Sequence, residues 1–247
     1  MTEIYRHTPY EKSRLKMKPD QFKVSGDQVF FTLQGEGQSI GNPAVFLRLH
    51  FCNLHCSWCD TKYTWDKKGK EFWQEGEDWN FQRTLEEVSN YPAKRLVITG
   101  GEPMLQQGRI AEFMGLIPDW EIEVETNGTI EPLPLLIQRC QFNVSPKLEN
   151  SDNSLKLRYK PDVLKVFNGL PKTTFKFVVQ SEKDLAEIDQ IVSGCELDPS
   201  KIIIMPEGTT QEDIRDHALS VSEQVKQRGW RLLPRLQVML WGEKRRI

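Results

Sequence analysis

Residues 44–61, AVFLRLHFCNLHCSWCDT, run from an apolar stretch straight into three cysteines within eight residues. Ala44–Leu49 has the composition of a buried strand. Cys52, Cys56 and Cys59 follow it with the spacing CxxxCxxC. A four-iron, four-sulfur cluster usually takes four thiolates, so three on one loop leave one iron open to a small molecule. Zinc is the alternative. It wants four closed ligands, commonly as two spaced pairs, and here the fourth would be His50, His55 or a distant cysteine. A purely structural role for all three thiols fits poorly with Asn53, His55, Ser57 and Asp60 among them.

Outward from this loop, runs of apolar, β-branched and aromatic residues alternate with helix-like segments, the signature of a parallel sheet built from strand–helix units. Strands are expected near Val29–Leu33, Ala44–Leu49, Arg95–Thr99, Glu121–Thr126, Phe142–Ser145, Thr174–Gln180 and Ile202–Met205. Helices are expected over Thr84–Asn90, Gln107–Ile117, Pro132–Gln138, Glu182–Val192 and Thr210–Arg228, the last two with acidic first turns. The expected fold class is α/β, a partial (incomplete) TIM-like barrel of about six parallel strands in a single domain, residues 1–247. Residues 1–26 read as an N-terminal extension, and residues 67–80 as a charged, tryptophan-bearing surface insertion. In that insertion Trp73 and Trp79 are candidates for a lid or a partner contact.

The chain has 33 Lys plus Arg against 35 Asp plus Glu, so no overall basic field exists to gather nucleic acid. A small-molecule substrate is expected instead. No stretch approaches the roughly 18 apolar residues of a membrane span, and a cytoplasmic protein is expected. Five cysteines, three of them clustered, make a poor disulfide framework. Cys140 and Cys195, set apart, read as buried inert thiols.

Active sites of parallel strand–helix folds lie at the carboxyl ends of the strands. The unusual residues fall there: the cysteine loop; Thr99-Gly100-Gly101-Glu102; Thr126 and Asn127; Ser145-Pro146-Lys147; Gln180; and Pro206 with Glu207. A glycine pair before a proline, as in Gly100-Gly101-Glu102-Pro103, is by itself an ordinary turn.

CxxxCxxC after the first barrel strand, followed by LVITGGEP, resembles the radical S-adenosylmethionine (SAM) superfamily. The longer stretch FTLQGEGQSIGNPAVFLRLHFCNLHCSWCDT, with ETNG, SPK, FVVQ and the ending LQVMLWG, resembles its 7-carboxy-7-deazaguanine synthase family from about residue 27 onward. The resemblance implies a lyase that turns 6-carboxy-5,6,7,8-tetrahydropterin into 7-carboxy-7-deazaguanine with loss of ammonia, through a 5'-deoxyadenosyl radical, on the route to queuosine. It implies a 4Fe-4S cluster on Cys52, Cys56 and Cys59, SAM on its open iron, and Mg2+ at Thr61. Substrate would meet Leu33, Gln34, Gly35, Glu36, Arg48 and Thr99. SAM would meet Trp58, Asp60, Gly101, Glu102, Ser145, Pro146, Lys147, Phe177, Val179 and Gln180, with Glu125 and Asn127 near its ribose. An external flavodoxin- or ferredoxin-like one-electron reductant and a homodimer are also implied. Arg48 carries independent weight, since a guanidinium in an apolar strand just before the cysteine loop suits an anionic substrate. Two rivals stay open: an activase that makes a glycyl radical on a protein partner, and a non-catalytic iron–sulfur or zinc protein.

Overall fold

The computed structural model describes residues 18–242 and residue 244. Most of the expected N-terminal extension and most of the last five residues lie outside them. Nine strands form one sheet in the order β3-β1-β2-β4-β5-β6-β7-β8-β9. β2 (Pro43–Leu49), β4 (Arg95–Gly100), β5 (Glu121–Thr126), β6 (Cys140–Val144), β7 (Thr173–Val179), β8 (Ile202–Pro206) and the two-residue β9 (Arg231–Leu232) run parallel. The six full strands expected from sequence are therefore present. β3 and β9 are free edges, and hydrogen bonds do not close the sheet into a full barrel.

The long strand β1 (Gln21–Leu33) pairs antiparallel with β2. A register shift between Val24 and Val29, where Gly26 sits at φ 63°, lets its first half also pair with β3 (Gly76–Asn80). Residues 67–80 are thus more than a surface insertion. They carry a helix, Lys70–Glu75, and the edge strand β3, whose Trp79 is buried while Trp73 is 70% exposed. Antiparallel pairing with β1 supplied the order that local periodicity did not signal.

Alternation along the parallel strands separates two environments. Val45, Leu47, Ile98, Val124, Phe142 and Phe175 face the helices and form the main core. On the opposite face Ala44, Phe46 and Val97, with Phe30, make a small apolar patch. Above that patch the inner face is polar: Arg48, Thr99, Glu123, Glu125, Asn143 and Lys176. Helix Glu182–Cys195 starts with a capping box of Ser181 and Asp184, as its acidic first turn suggested. Cys140 and Cys195 are buried on the helix side. Among the described residues no helix is long and apolar enough to cross a membrane.

Within the polar interior Glu123 is fully buried and accepts hydrogen bonds from Gln34 (2.6 Å), Ser39, Asn143 and Gln141 (3.1 Å). Burial outweighs these donors and pushes its carboxyl up to about 7. The unfolded carboxyl releases its proton near 4.5, so between these values the folded state holds the extra proton. Stability contributed by this group is therefore present below pH 4.5 and falls as pH rises to 7, by up to roughly 3 kcal/mol. Denaturation midpoints should decline across that window, and Glu123→Gln should flatten the decline.

Candidate active site

A cavity of about 370 Å3 opens at the carboxyl ends of the parallel strands, lined by Cys52, Cys56 and Cys59 on one side and by Arg48, Thr99, Glu125, Ser145 and Lys147 on others. All three cysteines are free, and each sulfur receives a donor. Leu54 N–H reaches Cys52 Sγ at 3.5 Å, Asn153 Nδ2 reaches Cys56 Sγ at 3.3 Å, and Thr61 N–H reaches Cys59 Sγ at 3.4 Å. Burial pushes the Cys52 thiol up to about 12 and raises Cys56 as well, so these sulfurs are thiolates only when a cation neutralises them.

Among the described residues no three His, Cys, Asp or Glu side chains converge as ligands of a single ion would. Nor does any candidate fourth ligand join the cysteines at the cavity. His50 packs between Phe51 and Phe72, His55 stacks on Trp65, Cys140 lies against Met114 and Cys195 against Tyr159. Three thiols facing a cavity that no other Cys or His of the described residues lines fit a cluster with one open iron.

The two glycines of the TGGEP turn are there for close approach. A Cβ on Gly101 would sit 2.0 Å from the Phe51 carbonyl oxygen, and one on Gly100, at φ 124°, would sit 2.1 Å from that of Leu49. The bare backbone lets Glu102 N–H donate to Phe51 O at 2.7 Å, seating the turn against the residue that precedes Cys52. Phe51 itself is held at φ 77°. Gly101→Ala should therefore destabilise the fold by at least the roughly 1–3 kcal/mol of an overpacked site and lower iron uptake with it, measurable as a fall in Tm and in bound iron.

Arg48 lies on β2 beside Thr99 of β4. Its guanidinium sits 5.4 Å from the centre of the Phe30 ring, and its Nε is buried with no partner among the described residues. Thr99 Oγ1 donates to Glu125 at 2.6 Å. Lys147 Nζ donates to Ser145 Oγ at 2.8 Å and stands 5.3 Å from the centre of the Trp58 ring. Thr61 Oγ1 is 3.5 Å from Cys59 Sγ and 3.4 Å from Gly100 O.

Leu33, Gln34, Gly35, Glu36, Trp58, Asp60 and Gly101 also line the cavity. Several of their polar groups are already engaged. Gln34 Nε2 donates to Glu123 and Glu125, and Asp60 is paired with Arg235. Glu36 forms ion pairs with Lys176 and Arg235 and accepts from Gln237 at 2.8 Å. Burial opposes its ionisation, but the two cations outweigh it and hold the carboxyl well below the usual range.

Other expected contacts fall elsewhere. Phe177 and Val179 point into the helix-side core, because strand alternation sends Lys176 and Val178 to the cavity in their place. Gln180 is exposed beyond the strand end, and its N–H donates to Asp184. Pro146 is buried off the cavity. Glu102 is buried too, accepting from Met104 N, Thr126 Oγ1 and Asn127 N at 2.7–2.9 Å, where it caps the turn Pro103–Gln106 and ties it to β5. Asn127 lines the cavity, but its side chain bonds Asn53 of the cysteine loop. Sequence reasoning missed Lys176 and Arg235. The alternation of β7 pointed to the first; no local pattern pointed to the second.

Comparison with known proteins agrees with this geometry. The model of the radical SAM superfamily matches residues 47–221. A 7-carboxy-7-deazaguanine synthase of Pyrobaculum aerophilum is 34% identical over 88% of this chain and 95% of its own length. One from Halobacterium salinarum is 30% identical over 88% and 90%. The crystal structure of QueE from Escherichia coli superposes with a TM-score of 0.66 at 26% identity, over 87% of this chain and 94% of that one. The cysteine loop, the glycine turn seated against it and these matches place the chain in the radical SAM superfamily and, within it, in the 7-carboxy-7-deazaguanine synthase family.

Proposed function

We propose that this chain converts 6-carboxy-5,6,7,8-tetrahydropterin to 7-carboxy-7-deazaguanine with loss of ammonia. One observation carries the reading to the substrate: Arg48 faces the cysteine cavity with its Nε buried and unpartnered among the described residues. A guanidinium with no carboxylate partner among the described residues, facing a cavity, wants an anion, and its fork suits the planar carboxylate of the pterin. The ring edge, rich in amide-like groups, would be met by the Leu33–Gly35 backbone and by Glu125, which Thr99 holds in place.

Cys52, Cys56 and Cys59 would hold the cluster, with SAM against Gly101, Ser145, Lys147 and Trp58. Bound together, they supply a carbon radical able to take hydrogen from an unactivated C–H bond. The rest falls to the protein. The ion pairs of Glu36 with Lys176 and Arg235 fix one wall of the cavity. Arg235 also joins that wall to Asp60 of the cysteine loop, holding the two sides of the site in one register. Trp58, Trp65 and Trp241 line the cavity with apolar surface that limits water around a reactive species. The hydroxyl of Thr61, a hard oxygen ligand, would hold the expected Mg2+ beside the substrate.

The test is anaerobic turnover with the carboxytetrahydropterin, SAM and dithionite, with mass spectrometry of the product. The reading predicts 7-carboxy-7-deazaguanine with one ammonia released for each. SAM cleavage without either product would overturn it and favour a different radical substrate.

A further inference from the structure

We infer that Glu123, buried beneath the cavity, is a positioning residue for the proposed reaction: it holds the Gln34 amide, and through that amide the Glu125 carboxylate, in the orientation that meets the pterin ring. The inference rests on the substrate reading above, which sets the ring edge against Glu125 and the backbone of residues 33–35.

Strand alternation sends Glu123 and Glu125, two residues apart on β5, to the same inner face. Glu125 lines the cavity and Glu123 does not. Buried between them, Gln34 donates from Nε2 to Glu123 Oε1 at 2.6 Å and to Glu125 Oε1 at 3.2 Å. A primary amide has two hydrogens, so both are committed to carboxylates. Its Oε1 accepts the Glu36 N–H at 3.1 Å, which fixes the sense of the amide. The other oxygen of Glu125 accepts from Thr99 Oγ1 at 2.6 Å. A chain of hydrogen bonds thus runs from Glu123 through Gln34 and Glu125 to Thr99 on the cavity wall.

Glu123 is itself anchored from three sides. Gln141 and Asn143 of β6 and Ser39 of the turn at residues 34–42 donate to it, and Arg95 Nη1 of β4 lies 3.4 Å away. The turn is closed by Gln34 N–H to Asn42 O at 2.8 Å and Gly41 N–H to Gln34 O at 2.7 Å. Gly37, at φ 70°, seats it so near β6 that a Cβ there would lie 2.3 Å from Asn143 Nδ2. Glu123 therefore joins the turn that carries Gln34 to both β5 and β6. Among the described residues the charged groups facing it are Arg95, which also pairs with Glu121, and Glu125; the donors from β6 and the turn are neutral, and Glu36 turns away to Lys176 and Arg235. With its carboxyl pushed up to about 7 by burial, Glu123 is largely neutral below that pH. A charge appearing on it above that pH lies beside Glu125 and beneath an anionic substrate, which it repels.

Equilibrium binding of the carboxytetrahydropterin to the reconstituted protein with SAM, measured alongside KM and kcat, tests this. Glu123→Leu offers Gln34 no acceptor and should weaken binding and raise KM by at least roughly tenfold. Its bound iron and its SAM cleavage without substrate should match the wild type. Glu123→Gln keeps the shape and an acceptor oxygen. It should bind as the wild type does at about pH 6 and lack the weakening that the wild type shows toward about pH 8. Equal binding by Glu123→Leu overturns the inference, as does a loss of iron and SAM cleavage in step with substrate binding, since Glu123 would then only hold the fold together. Where Glu123→Leu does not fold, a Glu123→Gln profile that still follows the wild type across this pH range overturns it as well. Pterin bound but not turned over by the wild type counts against the proposed reaction alone, whereas no pterin binding by the wild type removes the substrate reading and this inference with it.

Discussion

Cys56→Ala should abolish SAM cleavage and leave the reconstituted protein with less iron. Its sulfur lines the cavity, and burial pushes the free thiol up, so only a bound cation makes it a ligand. Among the described residues no fourth Cys and no His lines the cavity, so no thiol or imidazole stands ready to replace it. Asn153→Ala provides the graded comparison. It leaves all three sulfurs in place and removes the donor at 3.3 Å from Cys56 Sγ together with the acceptor of the His55 N–H, and loss of such an outer partner costs about 10–100-fold in affinity or activity. Iron content and 5'-deoxyadenosine formation, measured together, check both variants. Full activity in Cys56→Ala would refute the cluster assignment.

Arg48→Met should lower kcat/KM by the roughly 2–5 kcal/mol that truncating one partner of a buried charge pair costs, about 30-fold to several thousandfold. The effect should appear first in KM, because the guanidinium meets a carboxylate that is present throughout the reaction. Methionine preserves the apolar contact with Phe30, so a role confined to packing would leave activity nearly intact. Arg48→Lys should recover only part of the loss, since an ammonium cannot reproduce the planar fork. Uncoupled SAM cleavage, read in the same assay, should survive in both.

The parts of this molecule legible from sequence are those where one local signal suffices. The parallel strands from β2 to β8 announced themselves as apolar runs, and the cysteine spacing pointed to a cluster before any fold was assigned. β3 and β9 did not, because their strand conformation comes from pairing with distant segments. The polar interior was harder still. In EIEVET the alternation of β5 is plain, yet alternation usually marks a solvent face, whereas here Glu123 is completely buried among donors from other strands and the Gln34–Asn42 turn. Lys176 hid in the same way, one residue before the FVVQ motif that drew the assignment to Phe177 and Val179. Arg235 could be found only in three dimensions, since its partners Asp60 and Glu36 lie some 175 and 199 residues away in sequence.

The most direct measurement is the EPR spectrum of the anaerobically reconstituted, reduced protein with and without SAM. Three cysteine ligands at a cavity lined by no other Cys or His among the described residues predict a four-iron signal that changes shape when SAM binds the open iron, with 5'-deoxyadenosine formed on turnover. A spectrum unchanged by SAM, with no 5'-deoxyadenosine, would mean that a closed site fills this loop and would contradict the account.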